Sequence, residues 1–262
     1  MPPPPTAWTP ASLTAAAARL AGLHPALARL HAVHGVPTSR LLPVPAHHHF
    51  GMLARAIVGQ QVSTRAAVTI HTRVLAAAGL GTGSSRQPPP DPAGLLTPAA
   101  IAATPADALR AAGLSGRKVA YVTALAAAFT PPGGALAGLD LARLDDAALA
   151  TTLTAVPGVG PWTAAMFAIF ALGRPDILPT GDLGIRKGVA SVFRQGGSGN
   201  SGQGGAGPSF SSSPLPSPAQ MEALTAAWAP HRSLACWWLW RLVGEEAEAG
   251  RAGGGGQKKE KQ

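Results

Sequence analysis

Cysteine is nearly missing from this chain: 262 residues contain one, Cys236. A lone cysteine excludes an internal disulfide framework and any cysteine-rich zinc or iron–sulfur site, and it fits a reducing compartment. Cys236 lies in the apolar run Leu234–Leu242 and reads as a buried structural thiol rather than a nucleophile. Acidic residues are scarce as well, 12 against 21 lysines and arginines, so a chain only 13% charged still carries a formal +9. Such a balance favours polyanions, nucleic acid first among them, with a solvated basic face or simple composition bias as the alternative. No apolar run approaches the roughly 20 residues of a membrane span. Met1–Pro5 is a proline run without a charged leader, so the expectation is a soluble, intracellular protein. What is abundant is apolar: hydrophobic residues make up 46%, enough for a sizeable core in one or two domains.

Apolar periodicity predicts an all-α fold, because no stretch sustains strand alternation between turn signals. Thr9-Pro10 opens a helix to Leu20, with Thr9 as N-cap and Pro10 in the first turn, and His24-Pro25 opens a second to about Gly35. Further helices are expected over Phe50–Gln60, from Ser63 through Ala77, and from Thr104-Pro105, Ser115 and Asp145. Pro161–Leu172, Asp182–Phe193, Pro218–Trp228 and Ser233–Glu246 complete the set. Gly81–Pro92 and residues 195–218 read as mobile Gly/Ser/Pro insertions, and residues 250–262 as a disordered basic tail. The expected organisation is N-terminal helices over 1–45, a helical core over 46–194, and C-terminal helices over 219–249 that pack with the N-terminal ones.

The segment from Asp145 to Leu172 carries the first functional signal. A helix meets a tight turn at Pro157-Gly158-Val159-Gly160, and a second helix starts at Pro161. Glycines let another backbone approach closely, and the N-terminus of the second helix aims unpaired N–H groups at the same spot. Amides plus a positive helix end suit a phosphate oxygen, so the segment reads as a helix-hairpin-helix that grips a DNA backbone without reading sequence, with an ordinary interhelical turn as the plain alternative. Val156 and Val159 anchor the turn in the core. A hairpin alone is a binding device. The sequel adds chemistry: in Ile177-Leu178-Pro179-Thr180-Gly181-Asp182 the carboxylate stands at a helix start, 20 residues beyond Trp162. The plain alternative for Asp182 is a helix N-cap.

With these residues in place, the chain resembles the HhH-GPD superfamily of base-excision glycosylases, and within it the DNA-3-methyladenine glycosylase II family. Three further segments carry that resemblance: Ala54–Thr64 with its Gln60-Gln61 pair, Ala108–Lys118, and Trp228–Arg241. It spans about residues 45–245 and implies two helical subdomains flanking an active-site cleft, in a compact form without an N-terminal β-domain. Bifunctional relatives carry a lysine in the hairpin where this chain has Trp162. Without that amine the resemblance implies water-dependent, monofunctional hydrolysis and no strand cleavage.

The resemblance also assigns roles. Asp182 is the catalytic carboxylate, stabilising an oxocarbenium-like sugar and orienting the attacking water. Trp162, Met166 and Trp240 line the base pocket, where a cationic alkylated base gains roughly 0.5–2 kcal/mol per indole contact. Met166 replaces an aromatic residue of the family, which leaves the lesion range open. Trp237 and Trp238 read as core. Gln60-Gln61-Val62 supplies the wedge that fills the gap left by the extruded base, with Gln61 the foremost of the three. The amides of Gly158, Gly160 and Trp162 hold phosphate, with Arg186 and Lys187 either joining them or facing solvent. No cofactor is required. A sodium or potassium ion on the main-chain oxygens of Thr154, Val156 and Val159 is implied by the family. His47-His48-His49 reads as a DNA-proximal loop rather than a metal site.

The expected substrate is double-stranded DNA with alkylated purines of the 3-methyladenine or 7-methylguanine type. The protein is expected to act as a monomer away from membranes, leaving an abasic site for a downstream endonuclease. The insertion style points to the nucleus, with an organelle or a bacterial cytoplasm as alternatives. The rival functions are a glycosylase for deaminated or etheno bases and a non-catalytic DNA-binding protein that kept the hairpin.

Overall fold

A computed structural model describes residues 6–80, 96–195 and 215–254. Every regular element among them is a helix. The expected insertions over 81–92 and 195–218 lie outside the described residues, apart from Gln195 and residues 215–218, as does the tail beyond Gly254.

The chain divides into two compact units, Leu42–Arg174 with Ala7, and Trp8–Leu41 joined to the chain from Pro175 onward. The segment 46–194 is therefore shared between units, and Asp182 belongs with the N-terminal helices.

In the first unit, α4 (His49–Gly59), α5 (Thr64–Ala77), α6 (Pro98–Ala103), α7 (Ala106–Ala111) and α8 (Gly116–Phe129) precede the hairpin helices α9 (Asp146–Thr154) and α10 (Pro161–Phe170). The helix α4 packs against α5, α8 and α10, so its apolar face is at the centre of this unit. Leu53, Ile57, Val58, Val122, Leu125, Leu153 and Ile169 are buried there. Side-chain caps set most helix starts: Ser63 accepts from Ala66 N, Ser115 from Lys118 N and Asp145 from Ala148 N. Arg174 closes the unit. Its guanidinium is buried and donates to the carbonyls of Ala142 at 2.9 Å and Leu144 at 2.6 Å, pinning the approach to α9.

In the second unit, α1 (Pro10–Leu23), α2 (Pro25–His34) and the short α3 (Thr38–Leu41) group with α11 (Leu183–Gln195), α12 (Pro218–Leu224) and α13 (Arg232–Gly254). The helix α13 packs against α1, α2 and α11. Trp238 is fully buried and gives its indole N–H to the carbonyl of Gly35, which accounts for it as core. Trp237 is half-buried between the edge-on His34 ring and the Arg241 guanidinium.

Three differences from the sequence reading have physical causes. The helix α6 was not anticipated, although Thr97-Pro98 repeats the Thr-Pro start of α1 and Thr97 accepts from Ala100 N. The expected helix over Pro218–Trp228 stops at Leu224, because Thr225 turns its hydroxyl onto the Met221 carbonyl and a 3-10 turn follows. Finally, α13 continues past Glu246, through the helix-favouring run from Glu245 to Ala249.

Candidate active site

The hairpin lies in the first unit. Val156 N donates to Leu153 O at 3.1 Å and Val159 N to Val156 O at 3.0 Å, closing the turn, while both valine side chains are buried. Gly158 adopts φ +90°, open to glycine at little cost, and a Cβ there would fall 2.6 Å from Tyr121 Cβ and overlap its ring. Tyr121 of α8 thus packs directly on the turn. Gly160 is the N-cap of α10 and offers no side chain, while Pro161 fills the first turn. No side chain caps this helix start, and the first amides of a helix have no intrahelical acceptor, which is the arrangement a phosphate oxygen suits.

Trp162 stands in that first turn with 47% of its surface exposed, large for an indole. Met166 is one turn further along and half-buried, so the two share a face of α10. The main-chain oxygens of Thr154, Val156 and Val159 are hard ligands of the kind an alkali cation takes, and the Val156 carbonyl keeps a second lone pair beside its bond to Val159. No cluster of three metal-ligating side chains occurs among the described residues. In the histidine run, His47 and His48 form a short 3-10 turn, and His49 is buried edge-on against Phe167.

The two glutamines part company. Gln60 turns its side chain inward and donates from Nε2 to the carbonyl of Gly158 at 2.9 Å. Its carboxamide is therefore bound to the hairpin. Gln61 is exposed and has φ +57°, alone in that region among the described non-glycine residues, and Val62 beside it is also exposed.

Asp182 lies in the second unit, immediately before α11. Its Oδ1 accepts from the amide of Ile185 at 2.8 Å and from the indole N–H of Trp240 at 3.2 Å. The N-cap alternative thus describes a real duty of this carboxylate, carried on one oxygen alongside the tryptophan bond. Trp240 is half-buried on α13. A Cβ at Gly184 would come within 3.1 Å of both Asp182 Oδ1 and Trp240 Cδ1, so glycine is what lets the pair close up.

The loop leading to Asp182 is fastened to the start of α13. Arg232 donates to Asp176 through Nε and Nη2, both at 2.7 Å, and through its amide at 3.2 Å. Ser233 accepts from Ile177 N at 3.0 Å, and its own amide donates to Pro175 O. Burial opposes ionisation of Asp176, but the Arg232 side chain and amide outweigh it and hold the carboxyl below its ordinary range. Cys236 is fully buried and its thiol is pushed up by desolvation, an inert packing group. Sequence spacing gave no sign of the Asp176–Arg232 pair, whose members stand 56 residues apart.

Arg186 and Lys187 are both half-buried rather than splayed into solvent, and Arg186 donates through Nε to the Pro216 carbonyl at 3.1 Å.

The family model for HhH-GPD superfamily base excision DNA repair proteins matches residues 54–200, which contain the Gln60-Gln61 turn, the hairpin and Asp182. DNA-3-methyladenine glycosylase 1 of Schizosaccharomyces pombe is 30% identical over 192 residues, covering 72% of this chain and 70% of that protein. The solved structure of the Schizosaccharomyces pombe enzyme Mag1 in complex with abasic DNA superposes with a TM-score of 0.62 at 27% identity, over 87% of this chain and 96% of that one. A DNA-3-methyladenine glycosidase structure from Bacillus halodurans gives 0.63 at 28% identity, over 92% of each chain. The chain belongs to the HhH-GPD superfamily of base excision DNA repair proteins and, within it, to the 3-methyladenine DNA glycosylase family.

Proposed function

We propose that this protein is a monofunctional DNA glycosylase that hydrolyses the N-glycosidic bond of alkylated purines, of the 3-methyladenine and 7-methylguanine type, in damaged DNA. The observation that carries the reading is the Asp182 carboxylate, fixed at the start of α11 by the Ile185 amide and the Trp240 indole. Two bonds to Oδ1 restrain rotation about the side-chain torsions, so the carboxylate is held ready rather than searching.

In the proposed reaction the C1′–N bond breaks and its electron pair leaves with the base. A cationic N3- or N7-alkylated purine accepts that pair without strong acid assistance. The sugar becomes oxocarbenium-like, and the negative carboxylate of Asp182 stabilises it. Water then bonds to C1′, passing its proton to Asp182. In the first unit, the exposed indole of Trp162 with Met166 on the same helix face supplies flat, polarisable surface for the extruded base, and in the second Trp240 stands beside the carboxylate.

The hairpin amides at Gly158, Gly160 and Trp162 take a DNA phosphate, and a monovalent cation on the oxygens of Thr154, Val156 and Val159 would add positive charge there. Gln61, in its positive-φ turn, enters the stack in place of the base. With Trp162 at the hairpin position that holds a lysine in bifunctional relatives, no amine is available there to attack C1′, and the abasic strand stays uncut.

The test is incubation with alkylated duplex DNA, scoring released bases and strand scission separately. Free 3-methyladenine or 7-methylguanine with an uncut abasic strand is expected. Asp182→Asn should keep the helix cap, since Asn caps as well as Asp, yet lose release by a factor on the order of 100 or more. Full release by that variant would refute the role given to Asp182.

A further inference from the structure

Three contacts in the first unit join parts of the site that are remote in sequence. Gln60 Nε2 donates to Gly158 O at 2.9 Å, tying the wedge turn to the phosphate hairpin across 98 residues. Lys118 Nζ donates to the carbonyl of Val58 at 2.7 Å, at the C-terminal end of α4, two residues before Gln60. Tyr121, one turn after Lys118 on α8, packs on Gly158 so closely that no side chain fits there. Immediately after Gln60 the backbone turns to φ +57° at Gln61, a conformation non-glycine residues seldom adopt unless their neighbours impose it.

We propose that Gln60, Lys118 and Tyr121 form a clamp that makes the wedge turn and the phosphate hairpin one rigid piece, coupling the grip on the backbone to insertion of Gln61. Gln60 is then a positioning residue, not the wedge itself. This rests on the hairpin and wedge assignments proposed above.

The physical case is one of accounting for each end. The last carbonyls of a helix lack intrahelical partners. A lysine ammonium on the Val58 carbonyl both satisfies one and favours the negative end of α4, fixing where the helix stops. Burial lowers the Lys118 pKa from its ordinary value, a desolvation cost set against the contact with the Val58 carbonyl. Gln60 then starts the turn, with its amide spent on the hairpin. A carboxamide there cannot also enter the duplex, which leaves Gln61 and Val62, both exposed, as the residues able to do so. Because Lys118 and Tyr121 lie one turn apart on α8, a single helix face holds both ends. A phosphate seated at the hairpin therefore sets the height at which Gln61 meets the stack.

The clamp predicts a particular split. Gln60→Ala and Lys118→Met should bind undamaged duplex within about twofold of the parent, since the hairpin amides remain. The extruded state should fall by roughly tenfold, because a loosened wedge pays its ordering cost on each insertion. Extrusion is read from the fluorescence of 2-aminopurine placed next to a stable abasic analogue or alkylated base, and release from single-turnover kinetics on the same duplex. Lys118→Arg, which can still donate to Val58, should recover most of the signal, whereas a merely structural loss would not be rescued.

Parental fluorescence in Gln60→Ala and Lys118→Met would overturn the clamp, and so would an affinity for undamaged duplex that falls in step with extrusion. Melting temperature is followed in parallel, and an unfolded variant is replaced by Gln60→Glu, which keeps the length but repels the Gly158 carbonyl. A parent that extrudes the base without releasing it would refute the hydrolase reading alone, and the clamp would still be decided by the fluorescence comparison. A parent that binds duplex without extruding any base would overturn the clamp as well.

Discussion

One oxygen of Asp182 holds two donors, and the geometry around it tolerates little. Trp240→Phe would keep the flat ring but remove the N–H that reaches Oδ1 at 3.2 Å. A hydrogen bond to a charged acceptor carries roughly 1.5–3 kcal/mol, and part of it is recovered by water at this half-buried site. Single-turnover base release should therefore slow about tenfold, equivalent to about 1.4 kcal/mol. Gly184→Ala approaches the same pair from the other side, placing a methyl 3.1 Å from Asp182 Oδ1 and from Trp240 Cδ1. Relief needs a shift of a few tenths of an ångström, so a similar loss of rate is expected without loss of affinity for undamaged duplex. Parental rates in both variants would show that the Asp182–Trp240 contact has no part in catalysis.

At the scale of elements, the hairpin depends on a close approach that one methyl would break. Gly158→Ala must adopt φ +90° and would drive its Cβ into Tyr121. The positive φ and the overlap together cost roughly 2–4 kcal/mol. The expected result is a lower melting temperature with weaker binding to any duplex, measured by thermal unfolding and by titration with undamaged DNA. Unchanged binding would remove the hairpin from the interface.

The hairpin itself was legible in the sequence because its signal is local: Pro157 to Pro161 encodes a turn and a helix start within five residues. Thr9-Pro10, Ser63, Ser115 and Asp145 were readable for the same reason, each cap lying three residues from the amide it serves. The partner of Gln60 was not. A glutamine ahead of a positive-φ turn can point into a duplex or back into the protein with equal local propriety, and the choice is made by Gly158, 98 residues away. Asp176 with Arg232 and Lys118 with Val58 are illegible for the same reason, since nothing in one strand of sequence marks the other member. Local chemistry writes itself into a sequence; tertiary pairing at long separation does not.

For the molecule as a whole, charge and burial act together on acidification, and with the same sign in both units. In the first unit, burial lowers the pKa of His49 from 6.5, outweighing the hydrogen bond at Val44 that works to raise it. In the second, burial and then the Arg19 charge lower that of His231 from the same value. A depressed pKa means that the unfolded chain binds more protons than the folded one, so each histidine contributes stability that is fully present above pH 6.5 and is lost as pH falls through its folded value. Asp176, held below 3.8 with Arg232 against it, contributes stability present above 3.8 and lost further down. The background moves the same way, because eight histidines gain charge and twelve acids lose theirs on a chain already at +9. The melting temperature should be flat from about pH 8 to 6.5 and then fall, first over the histidine window and again below pH 4. His49→Leu removes one proton site without replacing it. Its melting temperature at pH 8 should drop, through lost fit against Phe167, but the decline between pH 6.5 and 5 should be shallower than in the parent. An unaltered slope in that variant would mean that the first acid transition belongs to His231, and His231→Leu would then have to flatten it.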